Sequence, residues 1–122
     1  MSRDAVRQAE ELLTQTIARV LAKAAPRTEG EFLEMDVVQE IAKYPPELQQ
    51  LVGAVLGKWL LSYNEDKVNW ALDLISDLEA TEHIPTLKRL RWKILFGLAP
   101  VRRDCISSLD GVLEHLQEKI SQ

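Results

Sequence analysis

The chain has 122 residues, 46% of them apolar and 28% charged, with a formal net charge of −4. That is long enough for one domain with a real core, and the mix is that of a soluble globular chain, not of a disordered tail. The acidic balance argues against general affinity for nucleic acid, and the single cysteine excludes an internal disulfide.

No segment alternates with the two-residue period of a strand, and proline and cap residues divide the chain into six predicted helices. The first runs from about Asp4 to Ala25, with Val6, Ala9, Leu13, Ile17, Val20 and Ala24 on its apolar stripe, and stops before Pro26. Thr28 and Glu31 have capping-box spacing and open the second, which ends near Lys43. After the break at Tyr44-Pro45-Pro46, Pro46 suits the first turn of a third helix reaching Tyr63. Its apolar run from Leu51 to Leu61 predicts the most buried element. Asn64 is a good N-cap for the fourth, Glu65 to Ala80. Pro85 opens the fifth, ending at Gly97, and Pro100 opens the sixth, with Val101, Cys105, Ile106, Leu109, Val112, Leu113, Leu116 and Ile120 on its face. Short connections predict three antiparallel hairpins, about 4–43, 46–80 and 85–121, in a single all-α domain over 1–122.

The same apolar fingerprint recurs every 34 residues: Val37-Val38-Ile41-Tyr44, then Ala71-Leu72-Ile75-Leu78, then Cys105-Ile106-Leu109-Val112. A second echo, 39 residues apart, relates Pro46, Leu48, Leu51 and Val55 to Pro85, Leu87, Leu90 and Ile94. A fixed period of this size is the signature of one helical unit stacked on itself. Over residues 46–118 the pattern resembles a HEAT-like, armadillo-type repeat, with a proline-opened first helix and a second of the form Val-Arg-x-x-Ala-x-x-x-Leu. Val101-Arg102-Arg103-Asp104-Cys105 through Leu109 matches that form; the fourth helix keeps Ala71 and Ile75 but has Lys67-Val68 in place of the Val-Arg pair. The resemblance implies a right-handed helical stack and binding rather than chemistry; a compact six-helix bundle is the other all-α arrangement.

No catalytic, metal or cofactor site is expected. His83 and His115 lie near helix ends beside Glu79, Glu114 and Glu118, short of the three or four converging ligands a zinc site needs. Cys105 falls on a core position, and Gly53 and Gly57 suit close helix approach rather than phosphate binding. A small helical enzyme with an unrecognised carboxylate/His site would need Glu79, His83 and nearby acids to converge. The charged amino-terminal start lacks a signal peptide's apolar region, and Leu51–Leu61 is about half the length of a bilayer span. A cytoplasmic protein with no membrane attachment is expected.

Two apolar pairs depart from the repeat. Trp70 and Leu74 stand where other units carry Asp36, Asp104, Glu40 and Ser108, which makes them candidate partner-binding anchors rimmed by Asn69, Asp73 and Asp77; packing beneath the fifth helix is the alternative. Trp92 and Phe96 form a second pair among Lys88, Arg89 and Lys93, in a segment, 88–103, that also holds Arg102 and Arg103 and has six bases and no acid. Residues 28–47 hold six acids against one base. The basic patch suits nucleic acid as an alternative partner, or the acidic second helix of another copy in a homo-oligomer. The leading expectation is a non-enzymatic protein-binding module, an adaptor or inhibitor of one protein partner. A bacterial toxin-immunity protein is one version, by analogy of size, charge and fold.

Overall fold

A computed structural model describes residues 3–24, 30–101 and 105–121. Among these, six α-helices and one short 3-10 turn account for the regular structure: α1 (Arg3–Ala24), α2 (Gly30–Ala42), α3 (Pro46–Leu60), α4 (Glu65–Asp77), the turn Thr81–His83, α5 (Ile84–Leu95) and α6 (Cys105–Ser121). The protein is all-α. The Thr28 capping box, Arg102 and Arg103 lie outside the described residues. The chain divides into two compact units, Met1–Val55 and Leu56–Gln122.

In the first unit α1 lies against α2. Ala9, Leu13, Ile17 and Val20 recur at helical spacing and are buried, as are Val37 and Ile41 of α2. Tyr44, just past α2, is buried too, and its hydroxyl meets Thr16 Oγ1. Both hydroxyls also reach the Leu12 carbonyl, Thr16 at 2.9 Å and Tyr44 at 3.4 Å, and either can donate to the other. Gln49 then donates to the carbonyls of Ala42 (3.1 Å) and Tyr44 (2.8 Å), satisfying acceptors that the end of α2 leaves open. Desolvation raises the Tyr44 pKa above its ordinary value, as does Glu40; the Thr16 hydrogen bond and Arg19 partly oppose the shift.

α3 is less uniformly buried than its apolar run predicts. Leu51, Val52, Val55, Leu56, Trp59 and Leu60 are buried, but Ala54 and Lys58 keep one line of the helix in solvent. It also ends at Leu60 rather than Tyr63, because the amide and hydroxyl of Ser62 both turn back onto the Trp59 carbonyl.

In the second unit α4 and α5 each lie against α6, and the 3-10 turn touches α5 and α6. The Asn64 side chain accepts from the Lys67 amide and caps α4 as expected. α4 stops at Asp77, three residues early. Ala80 N donates to Ile75 O and Glu79 N to Ser76 O, the paired bonds of a Schellman stop. Its left-handed residue is Glu79, at φ 53°. α5 ends in the same way: Leu98 N meets Lys93 O, Gly97 N meets Ile94 O, and Gly97 supplies φ 70°. Gly57 of α3 makes room for a buried side chain rather than a helix: a Cβ there would sit 3.2 Å from Cε1 of His83.

Of the expected core, Val37, Ile41, Ala71, Ile75 and Leu109 are buried. Cys105 is not; it is half-buried at the first turn of α6, with its thiol 3.9 Å from Asn69 Oδ1.

Candidate functional site

The two off-register pairs separate cleanly. Leu74 is 0% exposed, so it offers a partner no surface, which corrects its expected role as an exposed anchor. The reason lies in α4, where Val68, Ala71, Leu72, Leu74 and Ile75 are all buried. These five span a wider arc than the three buried positions of α6, Leu109, Leu113 and Leu116. Leu74 falls on the edge of that arc. Trp70, Asn69 and Asp73 are half-buried and Asp77 is exposed. Asn69 is engaged with Cys105, so it belongs to the contact between α4 and α6 as much as to a rim.

The pair on α5 is the reverse. Trp92 is 56% exposed and Phe96 62%, and their rings meet at 4.4 Å between centroids, tilted by 39°. The geometry follows from the helical period. Ile84, Leu87, Leu90 and Ile94 form the buried stripe, and Lys88, Trp92 and Phe96, each four residues from the next, run along the opposite side. Lys88 and Arg89 are exposed and Lys93 half-buried, so bases flank the rings. Among the described residues none of these three is shown in an ion pair. Arg91 is different: its Nε lies 2.7 Å from Asp110 Oδ1 on α6. Hydrogen bonding to that carboxylate, with its charge, raises the Arg91 pKa further, and this base is committed to the fold. Beyond the helix, Leu98 is exposed as well, which periodicity could not reveal because the residue follows the stop at Gly97.

Of the other groups weighed for chemistry, Glu79 and His83 each have structural neighbours. Glu79 does not stand alone beside His83: its carboxylate lies 3.4 Å from Lys119 Nζ and 3.7 Å from His115 Nε2, both on α6. His83 is buried against Gly57. Among the described residues no three His, Cys, Asp or Glu side chains are grouped to hold a metal ion. No helix among them is long and apolar enough to cross a membrane. A groove of about 250 Å³ lies between α1 and α2, with Thr16, Arg19 and Lys23 on one wall and Asp36, Gln39 and Glu40 on the other. Its basic and acidic walls offset each other, so it has no net pull on an ion of either sign. Comparison with family models, with curated proteins and with solved structures gives no match.

Proposed function

We propose that the protein is a non-enzymatic protein-binding module that docks its partner on the exposed face of α5. The observation that carries this reading is the Trp92–Phe96 pair: two large aromatics stacked on each other, more than half exposed, on the side of the helix facing away from its own core. Leaving such surface in water forgoes the gain from burial, and aromatic anchors within a charged rim are what protein interfaces recover it with. Helical-repeat stacking is consistent with the second unit, where α4 and α6, which carry the 34-residue echo, lie together while α5 also lies on α6. An adaptor or inhibitor acting in the cytoplasm, including an immunity protein, fits this description.

Nucleic acid is a weaker occupant of the same face. Each ring covers part of the other at 4.4 Å, on the surface where a base would stack. Three described bases also neutralise few phosphates, against a net charge of −4. The test is affinity capture from the native cells with the wild-type chain and with W92A/F96A. A protein held in near-stoichiometric amount by the wild type and lost by the folded double variant supports the reading. Identical capture by both removes α5 as the site.

A further inference from the structure

The occupant of α5 is open to a closer reading, because this chain carries a surface of matching chemistry. Residues 28–47 hold six acids and one base, whereas 88–103 hold six bases and no acid. On α2, whose sequence holds Glu31, Glu34, Asp36 and Glu40 and no base, Met35 is 57% exposed, and Asp36 is exposed in the groove opposite Arg19 and Lys23. Gln39 is exposed one turn further along, and Glu40, half-buried, lies 3.2 Å from Lys43 Nζ. On α5, Trp92 and Phe96 stand in a basic setting. A thioether against an aromatic ring is a favourable contact, and opposite charges around it would set register and speed encounter.

Building on the reading of α5 as a protein-docking face, we propose that the basic aromatic face of α5 docks on the acidic helix α2 of a second copy of this chain, with Met35 against the Trp92–Phe96 pair. The interaction is between unlike surfaces, so each copy keeps one α5 face and one α2 face to offer, and association grows with concentration until it closes or is capped by another partner. Lys88, Arg89 and Lys93 supply the basic side, and Asp36 is an exposed acid of α2.

Sedimentation velocity on the full chain tests this, over about 1 to 500 µM protein and at about 50 and 500 mM salt. The expected result is concentration-dependent association, weakened about tenfold or more by the higher salt. K88E/R89E/K93E and D36K should each weaken it by about tenfold or more. Mixing the two folded variants should restore association, because the unaltered α2 of the first meets the unaltered α5 of the second. Should a charge reversal fail to fold, W92A and M35A carry the test, each expected to weaken association without changing charge. Association that survives K88E/R89E/K93E or W92A unchanged, or variants that fail to complement, overturns the pairing. A chain that stays monomeric throughout overturns the second copy as occupant. That outcome leaves the docking role of α5 standing, which falls only if W92A/F96A captures the same proteins as the wild type.

Discussion

α4 and α5 carry the same sequence signal and use it in opposite ways. Each has a tryptophan followed four residues later by a large apolar side chain, set among charges and out of step with the helix's main apolar stripe. On α4 the second member, Leu74, is wholly buried, while on α5 both Trp92 and Phe96 stand in solvent. The difference lies in how much of each helix is covered. Five buried residues spread around α4, whereas on α5 Ile84, Leu87, Leu90 and Ile94 keep to one stripe and leave the far side bare. An off-stripe apolar pair is therefore a candidate docking surface only where the helix has an uncovered face.

The comparison breaks most readily at Leu74. Leu74→Ala should cost about 2–5 kcal/mol, since it removes buried methyl groups and leaves a cavity. Leu109→Ala on α6, also wholly buried, should cost a similar amount by the same reasoning, about 2–5 kcal/mol. Chemical denaturation reads both, and a loss below about 0.5 kcal/mol at either would place that residue on the surface instead.

The ends of the same two helices sharpen it. Both stop in a Schellman motif, with Gly97 supplying the left-handed residue on α5 and Glu79 on α4. Gly97→Ala should destabilise by about 1–2 kcal/mol through backbone strain alone, because a Cβ there meets nothing within 4 Å. Glu79→Gly should relieve strain and stabilise by about 0.5–1 kcal/mol, less whatever the contacts with Lys119 and His115 contribute. Opposite signs for these two changes are the expected outcome, and denaturant midpoints check it.

Tyr44 offers a pH-dependent counterpart. It is buried, whereas Leu78, its equivalent 34 residues on, is exposed. Because burial raises the folded pKa of Tyr44 above its unfolded value, its contribution is fully present below about pH 10 and is lost as pH rises through the folded pKa. Tyr44→Phe should cost about 1 kcal/mol near neutrality, and should flatten the fall in stability above about pH 10. Equal steepness in both proteins would contradict the assignment.

Much of this was legible in the residues. The all-α class, the breaks at Pro45-Pro46 and Pro85 and the Asn64 cap are local signals, written in hydrogen bonds within a few residues of each proline or cap. The early stops of α3 and α4 were not, because Ser62 and Glu79 are ordinary residues whose turn geometry no composition rule marks. Leu74 was misplaced for a tertiary reason: comparing positions between repeats assumes that every unit is covered equally, and α4 is covered over a wider arc. Trp92 and Phe96 stood out as an off-stripe pair, but only the narrow buried stripe of α5 distinguishes them from Leu74. Met35 gave no signal, since a lone methionine between Glu34 and Asp36 marks no apolar stripe and its exposure depends on how α2 is turned.

The central claim is that the aromatic pair on α5 is kept for binding and contributes little to folding. The most direct measurement is the thermal unfolding midpoint of W92A/F96A, recorded beside that of Leu74→Ala. The account predicts that the double variant melts within about 4 °C of the wild type while Leu74→Ala falls by about 10 °C or more, as expected for a chain of this length. A double variant that falls as far as Leu74→Ala would show that Trp92 and Phe96 hold the fold together, and would remove α5 as a docking face.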